Sequence, residues 1–129
     1  LPTMIPFTMG LTSINVLNVV NDGSMQAHTV IRIYGEAGGT VSNPVIHNND
    51  TGKFFKLDLV LSSDEEYIEI DSKEGTVIDQ DGNDRSADID EDSEFILLKA
   101  GSNNLVYTAD ETSRTPAGAF SVVFNSTKI

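Results

Sequence analysis

The chain contains no cysteine and no tryptophan. The first absence excludes disulfides, thiolate metal sites and cysteine nucleophiles, and leaves the redox compartment open. The second removes the side chain best suited to stacking on a sugar ring. Positive charge is scarce too: 8 Lys+Arg stand against 20 Asp+Glu, a formal net charge of -12. That sign repels phosphate backbones and anionic lipid, so we expect neither nucleic acid nor membrane as a partner. No apolar run approaches the roughly 20 residues needed to span a bilayer, so membrane insertion is not expected, and the first residues lack the charged start of a secretory signal. Long stretches of helical periodicity are also missing.

What is present is enough for a core: hydrophobic residues make up 39% of 129 residues, near the common size of one domain. We therefore expect residues 1–129 to form one β-sandwich domain, with 1–12 a linker or leading strand. Leu1 in place of Met leads us to expect a C-terminal piece of a longer protein.

Short β-rich runs separated by turn residues recur along the chain, the pattern of a sandwich or barrel. Strands are expected at 13–20, 27–34, 43–46, 53–61, 67–71, 76–79, 95–99, 105–109 and 119–124, about nine or ten in all. The cleanest alternation lies in 53–61, where Phe55, Leu57, Leu59 and Leu61 point one way and Lys56, Asp58 and Val60 the other. In 27–34, Ile31 and Ile33 face the core while His28, Arg32 and Tyr34 lie opposite. Pro44 is expected at the first residue of its strand or on an edge. Turns are marked by Asn21-Asp22-Gly23-Ser24, Asn48-Asn49-Asp50-Thr51-Gly52, Ser72-Lys73-Glu74-Gly75, Asp81-Gly82-Asn83, Ala100-Gly101-Ser102-Asn103 and the loop with Pro116 and Gly118. Residues 84–94 fit either a loop or one helical turn. The fold class is all-β, an antiparallel two-sheet sandwich of jelly-roll type.

Catalytic patterns are weak. His28 and His47 are the only near-neutral bases, no Gly-x-Ser-x-Gly or His-Glu-x-x-His motif occurs, and Asp64-Glu65 are adjacent in a turn. We expect no enzyme and no cofactor. The acidic run from Asp79 to Asp92 invites a calcium hypothesis, yet counted from Asp79 the glycine arrives fourth and the twelfth residue is Asp90, unlike an EF-hand loop. A solvated acidic face accounts for it better. Ligand candidates are Tyr34, as an aromatic platform, and His47 with Asn48, at a strand end. Tyr67 and Tyr107, inside strand runs, read as cross-strand packing residues.

The punctuation also falls in an ordered series. Asn21-Asp22-Gly23 precedes Val30-Ile31-Arg32-Ile33-Tyr34-Gly35, and Asn43-Pro44-Val45-Ile46 precedes Thr51-Gly52. Then come Ile70-Asp71, Val77, Asp81-Gly82-Asn83, Ser93-Glu94-Phe95 and Leu98-Lys99-Ala100-Gly101-Ser102-Asn103. From about Leu11 to Phe124 this resembles the C-terminal, galectin-like domain of siphophage and prophage distal tail proteins. Ala100-Gly101 stands where that family usually has Pro-Gly, and Asp81-Gly82 where it often has Asn-Gly; both keep turn chemistry. The resemblance implies a structural domain of the virion tail tip, made in the bacterial host cytoplasm and meeting other tail and baseplate proteins. It implies a hexameric full-length protein whose ring is closed by an N-terminal domain this chain lacks, so the isolated domain is expected to be a monomer. The alternative is a lectin-like module whose partner is a cell-surface carbohydrate.

Overall fold

The computed structural model describes residues 3–9, 15–35, 40–110 and 120–126. Among them the chain forms eleven strands: β1 (Thr3–Met9), β2 (Asn15–Asn21), β3 (Ala27–Tyr34), β4 (Val41–Asn48), β5 (Lys53–Lys56), β6 (Val60–Leu61), β7 (Tyr67–Asp71), β8 (Thr76–Asp79), β9 (Leu97–Leu98), β10 (Gly101–Asp110) and β11 (Phe120–Ser126). They pair antiparallel in two sheets. One runs β1-β11-β3-β7-β8 with β9 on β3; the other runs β2-β10-β4-β5 with β6 on β4. The expected antiparallel two-sheet sandwich is what forms.

Alternation decides which side chains meet between the sheets. Ile31, Ile33, Ile68, Ile70, Val77, Phe120, Val122 and Phe124 come from the first sheet; Val19, Ile46, Phe55, Leu57, Leu61, Leu105 and Tyr107 come from the second or its continuation. Tyr107 stands opposite buried Ile46 across β10 and β4, as expected of a cross-strand packing residue, and also packs on Phe120 with ring centroids 5.4 Å apart, so it joins the two sheets. Tyr67 does pair across strands, opposite Tyr34.

Several boundaries differ from expectation. The expected strand 53–61 is interrupted: β5 ends at Lys56, Leu57 bridges to Ile89, and pairing to β4 resumes only in β6. Pro44 accounts for this. It sits buried inside β4, neither first nor on an edge, and offers no N–H, while Asn43 before it takes φ 51 and the facing register shifts between Thr108 and Asp110. The pair forms a bulge, the place a central strand tolerates proline. The inward set Phe55, Leu57, Leu59 and Leu61 is nevertheless buried as expected.

Of 95–99 only Leu97–Leu98 is strand, and β10 starts at Gly101 (φ 94), four residues early. The leading segment provides β1; the loop with Pro116 and Gly118 lies outside the described residues. Gly35 closes β3 for a steric reason: a Cβ there would stand 2.1 Å from the Ser63 carbonyl oxygen.

Residues 84–94, left open between loop and helical turn, contain a single 3-10 turn, Ser86–Asp88, and do more than connect. Asp84 bridges to Ile78 of β8, and the Arg85 N–H donates to the Val77 carbonyl (2.8 Å). The segment then crosses to the other sheet. There Asp58 N–H donates to the Asp88 carbonyl (2.7 Å), Asp90 N–H to Lys56 (3.0 Å) and Glu94 N–H to Phe54 (2.9 Å). One acidic strap thus covers the outer edges of β8 and β5, satisfying backbone groups that would otherwise template aggregation.

Candidate functional site

The three ligand candidates do not converge. Tyr34 lies on the outer face of the first sheet and His47 on the outer face of the second, so the full thickness of the sandwich separates them. Asn48 faces inward and is 0% exposed. Its Nδ2 donates to the Leu97 carbonyl (3.0 Å) and to Asn103 Oδ1 (3.1 Å), and its Oδ1 accepts the Asp50 N–H (2.9 Å).

Asn48, read from sequence both as a turn residue and as a ligand candidate, belongs to a group whose other members, Asn21 and Asn103, were read only as turn residues. Asn21, Asn48 and Asn103 are all 0% exposed. Asn103 Oδ1 accepts the Lys99 N–H (3.0 Å), and its Nδ2 donates to the carbonyls of Lys99 and Gly101 (each 3.0 Å) and Val19 (3.4 Å). Asn21 Nδ2 donates to the Met25 (2.9 Å) and Leu98 (3.3 Å) carbonyls while its Oδ1 accepts the Gly23 N–H. Thr29, also buried, donates to the Ile96 carbonyl at 2.6 Å. Residues 96–99 can form little sheet, and these amides supply the partners that their backbone would lack. The available signal was the Asn that opens the 21–24 and 48–52 turns and closes the 100–103 turn.

Around Tyr34 the outer face of the first sheet is ordered. Arg32 Nε donates to Glu69 Oε1 at 2.9 Å, its guanidinium lies 4.4 Å from the Tyr67 ring centroid, and Tyr34 stands 6.0 Å from Tyr67. The Glu69 hydrogen bond, ahead of one to Tyr34, raises the Arg32 pKa further. With side chains 41% and 35% exposed, the Arg32–Glu69 pair contributes at most ~1 kcal/mol.

On the second sheet, pairing aligns Val16, Val106, His47 and Phe54 in one row across four strands, with His47 and Phe54 rings 5.7 Å apart. A separate depression of about 150 Å³ is lined by Gln26, Thr51, Lys53, Glu94, Phe95 and Leu97, two of which, Lys53 and Glu94, form an ion pair at 2.8 Å. Small-molecule pockets usually hold about 300 Å³ or more.

The acidic run folds its carboxylates onto its own backbone. Asp79 Oδ1 accepts the N–H of Asn83 (2.9 Å) and Asp81 (3.0 Å), and Arg85 stands 3.6 Å from Oδ2. The Asn83 N–H foremost, then the Asp81 N–H, the Asn83 amide and the Arg85 charge, outweigh desolvation and lower its pKa. Ser86 lowers Asp84 in the same way. Among the described residues no three His, Asp or Glu side chains are grouped to hold a metal ion. What the geometry offers is two patterned outer sheet faces.

Comparison with known proteins returned no match among curated proteins. Among solved structures, the chain is similar to the Dit protein of phage SPP1, described as a paradigm of the hub adsorption apparatus in phages infecting Gram-positive bacteria. The TM-score is 0.71 at 16% identity, covering 96% of this chain and 46% of that one. At that identity the likeness speaks for the sandwich fold, and this chain spans under half of the protein it matches. The family assignment rests on sequence: the model of the siphovirus-type tail component, C-terminal domain, matches residues 22–123, and the chain belongs to that family.

Proposed function

We propose that the domain acts in the tail tip by surface contact, docking through its outer sheet faces against other tail and baseplate proteins of the host-attachment apparatus. The observation that carries this reading is the form of the two faces. Cross-strand rows of partly exposed side chains, Val16-Val106-His47-Phe54 on one sheet and Tyr34-Tyr67 with Arg32-Glu69 on the other, make extended surfaces that suit a protein partner better than a small ligand. The domain contributes no chemistry in this reading, and the longer protein carrying it forms the hexameric ring.

Immunogold electron microscopy with antibody against the domain tests the location. Gold at the distal end of the tail is the expected outcome. Unlabelled tails, with antigen on the cell surface or free in the medium, would overturn it. A second reading, binding of cell-surface carbohydrate, draws on the partly exposed Tyr34-Tyr67 pair with Arg32 beside it. Glycan-array binding that vanishes in Tyr34→Ala or His47→Ala would favour that reading.

A further inference from the structure

The sandwich treats its two sides differently. The strap seals β8 and β5, whereas β1 and β2 end their sheets on the opposite side with no further strand paired to them among the described residues. From Leu1 to Asn21 the sequence contains no Asp, Glu, Lys, Arg or His, although the whole chain carries -12. Natural edges are usually blunted by charge or proline. β1 has Pro6; β2, Asn15-Val16-Leu17-Asn18-Val19-Val20-Asn21, has neither.

The open side of β2 can be read from its neighbour. Asn104, opposite Asn18, sends its N–H to Asp50 Oδ2 (2.6 Å) and accepts the Asn49 N–H on its carbonyl (2.9 Å), so its backbone groups face β4. Asn18 and Asn104 are thus a non-hydrogen-bonded pair. Antiparallel geometry then turns the N–H and C=O of Asn18, and those of Val16 and Val20, toward the open edge.

We propose that this edge docks a second copy of the same chain, β2 pairing antiparallel with the partner's β2 about a two-fold axis at Asn18. The sequence of β2 is its own reverse apart from Leu17 and Val19. Such pairing sets Asn18 against Asn18, Val16 against Val20, and the inward Leu17 against Val19. The three outward-facing pairs exchange two backbone hydrogen bonds each. Val16 and Val20, 46% and 47% exposed, cover each other, and the Asn18–Asn104 bond (2.8 Å) extends into a ladder of four amides.

The near self-reversal of β2 selects a second copy as the occupant, and charge places the contact. A like-charged copy is repelled by the acidic strap side and meets no side-chain charge on β2. The contact is isologous, as a closed dimer requires, and small, so the dimer is weak. It departs from the monomer expected on sequence.

Sedimentation of the chain from about 10 μM to about 1 mM tests this, a range that brackets weak association. We expect a monomer–dimer equilibrium that Asn18→Lys abolishes without lowering the melting temperature, since Asn18 is exposed. With no native cysteine, register can be read directly. Under oxidation Asn18→Cys cross-links, Val16→Cys alone does not, and an equimolar mixture of Val16→Cys and Val20→Cys does. A monomer throughout the range, a dimer that survives Asn18→Lys, or an Asn18→Cys variant that stays uncross-linked would each overturn the proposal. If the chain stays monomeric and Asn18→Lys blocks tail assembly, the edge takes a strand from a different tail protein and the homotypic pairing is wrong.

Discussion

Replacing Asn103 by alanine should destabilise the domain far more than the same change at its neighbour Asn104. Asn103 is 0% exposed and makes four short bonds, at 3.0–3.1 Å, to Lys99 N–H, Asn48 Nδ2 and the Lys99 and Gly101 carbonyls. At about 1 kcal/mol net for each, the loss is about 4 kcal/mol. Partial water entry beside half-buried Lys99 brings it to about 3 kcal/mol. A domain of this length has roughly 6 to 19 kcal/mol in total, and the melting temperature should fall by roughly 10 to 15 °C. Asn104 is exposed and, among the described residues, its side chain bonds only the Asn18 amide, so Asn104→Ala should cost under about 1 kcal/mol. Urea melts of both variants measure the difference. Equal losses, or an Asn103→Ala loss within 1 kcal/mol of zero, would refute the idea that buried amides hold residues 96–99 between the sheets.

Leu57→Asp or Leu59→Asp should unfold the domain, because these side chains are 0% and 6% exposed, whereas Lys56→Glu and Asp58→Lys should shift the melt by under about 1 kcal/mol; equal stability of all four in denaturant would mean the register is wrong. Gly35→Ala should cost about 2 kcal/mol or more, since its Cβ would stand 2.1 Å from the Ser63 carbonyl oxygen, and a neutral thermal melt would count against that close approach. The lowered Asp79 pKa means its carboxylate stabilises the fold above the ordinary aspartate range and loses that contribution as pH falls through its folded value. Asp79→Asn should therefore flatten stability against pH below about 4, which melts in a buffer series will reveal.

Alternation made the sandwich legible. Phe55, Leu57, Leu59 and Leu61 could be assigned to one face by counting in twos, and the same count separates Ile31 and Ile33 from Arg32 and Tyr34. Where periodicity stops, legibility stopped with it. Pro44 looked like a strand start because a missing N–H is ordinarily tolerated there, and only the opposing register shift in β10 shows that a bulge absorbs it. Asn48 looked available to a ligand because asparagine at a strand end is usually solvated. Its burial follows from the return of residues 96–99 beneath it, almost fifty residues along the chain, a contact no local pattern encodes. The far half of the strap was invisible for the same reason: it starts against β8, its neighbour in sequence, but its other partners lie in and just after β5, some thirty to forty residues back along the chain.

The strap also fixes how the domain presents charge. Residues 79–94 bring Asp79, Asp81, Asp84, Asp88, Asp90, Glu91, Asp92 and Glu94 to one side against a single Arg85, while β2 on the opposite side carries no charge. The carboxylates that turn the strap's own backbone fix its shape. That work uses Asp79, Asp84 and Asp90 as hydrogen-bond acceptors, and of these three only Asp79 faces a cation, Arg85, among the described residues. A partner meeting the strap must therefore bring cations, and its approach is steered over about a Debye length. A partner on the β2 side is chosen by backbone pairing and apolar fit at contact distance. Were both sides engaged in the tail, their different rules would keep two neighbours from being confused.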